Sequence, residues 1–223
     1  MAGATHGVVT RAQLLHEGIT ASEIKQRLAI GALLPVHRGV YRVGHRAPNL
    51  ELRYLATMFA CGPGALLRGR AAVDLLGLRK GAAPPPEVVT RTERNVVRVR
   101  TRRTRALTAR DGMTWRGVPV TTVAYTIVDL AEVAGLDELA RACHDAGVPH
   151  STTPREVESE MARRPGTPGA GLLREVLYGD VRVTLSALER RWEMLLHESG
   201  LELPNTNRPA GGRRVDCRWR RAA

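Results

Sequence analysis

Two helix start signals and two helix stop signals follow one another between Thr10 and Gly31, and they leave little choice about local structure. Thr10 with Gln13 has the spacing of a capping box, in which the hydroxyl takes the amide three residues on and the Gln side chain reaches back. Thr20 with Glu23 repeats the pattern. Gly18 and Gly31 stand where a helix ends on a left-handed residue. The spacing predicts two short helices joined by the turn Gly18-Ile19-Thr20, a helix-turn-helix pattern. The segment that follows, LLPVHRGVYRVG, changes to a period of two, with β-branched residues on either side of a Gly39 turn. It reads as a hairpin. Two short helices followed by a hairpin make a winged helix-turn-helix over roughly residues 8–46.

The chemistry of this head follows from which positions the core takes. Ile24 and Leu28 are four apart and face inward. Ser22, Lys25, Gln26 and Ala29 are left for solvent, with Arg27 at the flank. Short side chains near the helix start allow close approach to a duplex, and Lys, Gln and Arg reach base edges and phosphates. Arg38 falls at the hairpin tip and Arg42 four residues on, where a basic wing meets backbone or minor groove. The plainer alternative is a surface helix with a solvated Lys-Gln-Arg face.

Charge supports a polyanionic partner. The 223 residues carry 34 basic and 22 acidic groups, a net charge of +12, and all but two of the basic residues are Arg. Each cation placed on a phosphate releases a condensed counterion. Double-stranded DNA is the expected partner. The charge is uneven: residues 87–116 and 207–223 are basic, whereas 129–161 hold eight acidic groups against two basic. That acidic stretch leaves open a scaffold role toward another protein. Within RVRTRRTR (98–105), Arg98, Arg100 and Arg102 alternate and would share one face of a strand. The preferred reading is the wet face of a half-buried strand; the other is a second phosphate contact.

Other function classes find little support. Cys61, Cys143 and Cys217 lack disulfide or zinc spacing and read as small buried residues in a reducing cytoplasm. No run approaches the length of a membrane span, and the N-terminus lacks a signal-peptide core. The expectation is a soluble cytoplasmic protein with no membrane partner. The histidines are scattered without metal spacing, and no Gly-rich phosphate loop occurs. No cofactor is expected.

The rest of the chain predicts an α+β protein. An apolar helix covers 49–61, with Leu52, Leu55, Ala56 and Phe59 on one face, and Gly62-Pro63-Gly64 breaks it. A helix near 70–76 follows, then strands at 87–90, 95–101 and 117–122. Helices are expected at 123–133, 136–146 and 153–164, the last with Pro154 at its first position. Residues 165–171 read as a loop. Ser186 and Glu189 form another capping box, ahead of a helix with Leu188, Trp192, Leu195 and Leu196 on one face. Residues 215–219 read as one strand. The expected organisation is a head (1–46), a mixed α/β middle domain (47–180) and a final segment (181–223).

Glu189 on a helix and Asp216 on a strand are the one carboxylate pair worth weighing. Magnesium-dependent nucleases of the restriction type use a helix carboxylate and a strand Asp, but also an acidic pair on the next strand. The chain stops at Ala223, seven residues past Asp216, so that strand is expected to be missing. Glu189 and Asp216 therefore read as remnants, with no catalytic set and no metal site.

Four stretches carry a family resemblance: GVVTRAQLL, GALLPVHRGVYRVGH, ACGPGALLRGRAAVDLLGL and GVPVTTVAYTIVDLA. They resemble a large set of actinobacterial proteins in which an AbiEi-type antitoxin N-terminal domain precedes a domain similar to the very-short-patch-repair endonuclease. The resemblance spans about residues 7–219. SALERRWEMLL, SGLELPNTN and VDCRW look like the opening of the nuclease-like part, with Glu189 and Asp216 at its first two acidic positions. Departures are Arg68-Gly69 where Ser-His is common, Cys217-Arg218 in place of an apolar pair, and the missing acidic strand. The resemblance implies a winged helix-turn-helix and a DNA-binding, antitoxin-like transcriptional regulator of a type IV toxin–antitoxin system. It also implies functional pairing with a nucleotidyltransferase-like toxin. The other implied reading is a truncated, degenerate nuclease-like protein that binds DNA without cleaving it.

Overall fold

A strand that periodicity does not announce opens the structure. The computed structural model describes residues 6–44, 49–147, 149–178, 187–201, 205–210 and 213–218, with backbone alone for 187–191, 193, 205–210 and 213–218. Strand β1 (Val8–Thr10) leads straight into α1 (Arg11–His16), and Thr10 is both its last residue and the helix cap. Helix α2 (Ala21–Ala29) and strands β2 (Leu33–His37) and β3 (Val40–Val43) complete the head. The central strand is β3, antiparallel to β1 on one side and to β2 on the other. Val9, Ile24, Leu33 and Tyr41 form its buried cluster, against which Leu14, Ile19, Leu28 and Val43 pack.

Helix α3 (Leu50–Cys61) is capped by Asn49, whose Oδ1 accepts the Leu52 N–H at 2.7 Å. The sequence indicates one apolar face, but Tyr54, Thr57, Met58 and Cys61 are buried as well. The helix packs against β1, β2 and β3 on one side and against the larger sheet on another, so few of its positions see water.

That sheet is built from β4 (Leu66–Leu67), β5 (Glu87–Thr90), β6 (Arg100–Arg103), β7 (Gly112–Trp115) and β8 (Val118–Thr121), in the order β6-β5-β4-β8-β7. Helices α4 (Gly69–Leu75) and α5 (Val123–Ala131) accompany it. Arg68 at the start of α4 and Asp129 of α5 form an ion pair at 2.7 Å, with the Asp129 side chain fully buried. The strand expected at 95–101 begins only at Arg100. Arg98 has φ of 63°, and the Val99 N–H donates to the Val96 carbonyl, so the chain turns there instead of extending. The three-arginine face is thereby corrected to Arg100 and Arg102, both exposed on an edge strand. Charged side chains on such an edge discourage pairing with another chain. Strands β4 and β7, of two and four residues, carry no alternating pattern that the sequence alone makes legible.

Further along lie α6 (Leu136–Gly147), α7 (Pro154–Arg163), α8 (Ala170–Tyr178), α9 (Ala187–Glu198), β9 (Asn205–Ala210) and β10 (Arg213–Arg218). Thr153 and Glu156 form a capping box on α7, with Pro154 in its first turn. Helix α8 packs on α6 and α7. It begins inside the stretch read as loop, after Gly169, where an added Cβ would stand 2.0 Å from the Ala131 carbonyl oxygen. The single strand expected at the end is instead an antiparallel hairpin of β9 with β10. Ser186, proposed as a cap of α9, lies outside the described residues.

The α+β class is therefore seen throughout. Contacts divide the chain into two compact units, Met1–Asp129 and Leu130–Ala223. These do not coincide with the sequence boundaries at 46/47 and 180/181. A compact unit can contain more than one sequence domain, so the two divisions describe different things.

Candidate nucleic-acid interface

Local hydrogen bonds set the geometry of the helix-turn-helix. At α1 the Gln13 N–H donates to Thr10 Oγ1 at 3.1 Å, and the Thr10 N–H donates to Gln13 Oε1 at 2.8 Å. The helix ends in a Schellman motif: Gly18, at φ of 81°, donates to the Leu15 carbonyl, and Ile19 donates to that of Leu14. Ile19 and Leu14 meet the same core cluster, which fixes the turn angle. Thr20 then caps α2, its N–H donating to Glu23 Oε2 at 2.8 Å and its Oγ1 accepting the Glu23 N–H at 3.2 Å. The Thr20 backbone and hydroxyl donors hold the Glu23 carboxyl below the usual carboxylate range.

Helix α2 separates its faces as the spacing demands. Ile24 is 2% exposed and Leu28 packs on the cluster. Ser22, Lys25, Gln26 and Ala29 are exposed. They recur at i, i+3, i+4 and i+7, so they share one side of the helix. Arg27 is placed differently: it is half-buried, with Nη2 3.9 Å from Glu23 Oε1 on its own helix. That contact directs it along α2 and away from the exposed row.

The wing carries its charge at two depths. Arg38 is exposed at the tip, next to Gly39 at φ of 73°. Arg42 lies on the central strand, opposite Val8 on one side and Leu34 on the other, and is half-buried. The tip is tied to α1 by the Arg11 N–H, which donates to the Gly39 carbonyl at 2.7 Å. Arg11, exposed at the first position of α1, thus has its backbone beside the wing tip. Sequence reasoning passed over Arg11, because its proximity depends on the pairing of β1 with β3. Burial pulls the half-buried His37 below the usual histidine range, so it adds no positive charge to the wing at neutral pH.

The carboxylate pair is placed only by its backbone. Glu189 belongs to α9 and Asp216 to β10, between the paired positions Val215–Arg208 and Cys217–Thr206. Their side chains lie outside the described residues. Among the described residues, no cluster of three or more His, Cys, Asp or Glu is arranged to hold a metal ion. Among those residues also, no helix is long and apolar enough to cross a membrane.

Comparison with known proteins bears chiefly on the head. No curated protein matches the chain. A crystal structure of the RV2827C protein from Mycobacterium tuberculosis superposes on 92% of this chain and 82% of its own, at 18% identity and a TM-score of 0.48. Residues 2–44, which enclose the three-stranded wing and both helices of the turn, match the family model of a transcriptional regulator, the AbiEi antitoxin.

Proposed function

We propose that the chain is a DNA-binding, antitoxin-like transcriptional regulator that docks α2 in the major groove and rests its wing on the phosphate backbone. The observation that carries this reading is the exposed row Ser22, Lys25 and Gln26 on a helix whose opposite face, Ile24 and Leu28, is spent on the core. Exposed Arg38 at the wing tip supplies a phosphate contact, with Arg42 and Arg27 as flanking charges of lesser reach. The match of residues 2–44 to a transcriptional-regulator antitoxin family supports the same reading. We further propose that the regulator belongs to a type IV toxin–antitoxin arrangement and is functionally paired with a nucleotidyltransferase-like toxin.

The test is a footprint and an anisotropy titration on the duplex upstream of the protein's own gene. Wild type is expected to protect a discrete site, and Lys25→Ala with Gln26→Ala to lose preference for it over scrambled DNA. Identical behaviour of the double variant and wild type refutes the assignment.

A second reading has one feature in its favour. Helix α9 followed by the β9–β10 hairpin carries Glu189 and Asp216 in the order that nuclease-like proteins use. On that reading the chain binds DNA without cleaving it. Magnesium-dependent nicking of plasmid that disappears in Glu189→Gln would replace it with an active enzyme.

A further inference from the structure

A cleft of about 580 Å³ opens between the wing tip and α3. That volume suits a small organic ligand. Its walls are apolar and come from both sides of the joint on which the head is mounted: Ala12 of α1 on one side, and Phe59 and Ala60 of α3, Leu66 of β4 and Pro119 of β8 on the other. Gln13 and Arg38 line it too.

The side-chain hydrogen-bonding capacity of this lining is one-sided. Gln13 Oε1 accepts both the Thr10 N–H at 2.8 Å and the Thr10 hydroxyl at 3.0 Å, so the edge left over is its NH₂, which only donates. The Thr10 hydroxyl is itself engaged in that box. Arg38 is exposed and has no ion-pair or hydrogen-bond partner among the described residues; its guanidinium also only donates. The backbone carbonyls of Gly39, Met58 and Gly62 already accept N–H groups from Arg11, Gly62 and Ala65. An apolar wall with donors at one end selects a molecule with an apolar body and an anionic head.

We infer that this cleft is an effector site for a small apolar carboxylate, with the carboxylate on Arg38 and the Gln13 amide and the body against Phe59, Leu66 and Pro119. The regulatory consequence rests on the DNA-binding reading above. Arg38 is the wing-tip cation, so a carboxylate and a phosphate compete for one guanidinium. Ligand and duplex must then weaken each other by the same factor, because coupling between two binding equilibria is reciprocal.

The full chain is titrated calorimetrically with 2-naphthoate and with 2-naphthylmethanol, a neutral analogue of similar shape. Naphthoate is expected to bind one equivalent and about tenfold more tightly than the alcohol, the preference that one charge-assisted hydrogen bond supplies. Arg38→Gln should erase the preference while leaving the alcohol's affinity unchanged. Ala60→Trp, which fills the cleft, should abolish binding of both with far-UV dichroism unaltered. Absence of saturable binding by wild type, equal affinity for the two probes, or a preference that survives Arg38→Gln overturns the site. These arms contain no DNA, so they stand apart from the function assigned to the head. In a further arm, saturating duplex should lower naphthoate affinity. Unchanged affinity in the presence of bound duplex overturns the coupling, and failure of wild type to bind any duplex overturns the DNA-binding reading instead.

Discussion

Removing the wing-tip guanidinium and removing the α2 amide should damage DNA binding in different ways. Arg38 is exposed and has no protein partner among the described residues, so Arg38→Ala deletes a cation without disturbing a packed group. One phosphate contact contributes a slope of about −0.9 in log affinity against log salt. Raising salt fourfold, from about 50 to 200 mM, then costs wild type about 3.5 times more affinity than it costs the variant. The deficit of Arg38→Ala should therefore shrink by that factor across the titration and be equal for target and scrambled duplexes. Gln26→Ala removes no charge. Its salt slope should match wild type, while its preference for target over scrambled DNA falls by about 5- to 150-fold, corresponding to about 1–3 kcal/mol for a bidentate base contact. Fluorescence anisotropy at four salt concentrations on both duplexes measures all of these quantities. A changed slope in Gln26→Ala, or a loss confined to the target in Arg38→Ala, would refute the assignment of α2 to base edges and the wing to backbone.

Three further outcomes follow from the packing. Arg68→Met removes one partner of an ion pair whose Asp129 side chain is fully buried, and should destabilise the chain by about 3–5 kcal/mol in urea unfolding; a loss within error of zero would contradict the burial of that pair. Glu23 is held below its ordinary value of 4.5 in the folded state, so its stabilisation is fully present above that pH and is lost as pH falls through the lower folded value. The Thr20 amide shift should accordingly titrate with a midpoint below 4.5, and in Glu23→Gln it should not titrate; a midpoint at or above 4.5 contradicts the cap. Burial pushes the Cys143 thiol up to about 12 and raises Cys61 as well, so iodoacetamide at pH 8 should label neither in the native protein and both in urea. Peptide mass mapping reads the result, and rapid native labelling of Cys143 would count against its placement.

Legibility followed the distance over which each feature is decided. The capping boxes at Thr10 and Thr20 are contacts between residues three apart, complete within one helical turn, and the chain spells them out. The outward row of Ser22, Lys25 and Gln26 was likewise legible, because a period of 3.6 places it opposite Ile24 and Leu28. Arg27 was less so: its side chain chose between solvent and Glu23, a choice the spacing leaves open. Helix α3 was recognised by its apolar character, yet its burial on nearly every side depends on lying between two sheets.

Amino-acid order alone thus determined the capped helices, the Gly39 hairpin and the polar row of α2, since each rests on neighbours within a few bonds along the backbone. Tertiary structure decided what needs partners from afar. Strands β1 and β4 have three and two residues, too few for any period to emerge, and exist because Val8–Thr10 finds Val40–Arg42 and Leu67 finds Val120. The same holds for the Arg68–Asp129 pair, formed across 61 residues, and for the cleft that places Gln13 and Arg38 along one wall. Such contacts arise only when chain closure brings remote segments together, and the entropy of that closure is repaid by packing that no single segment contains.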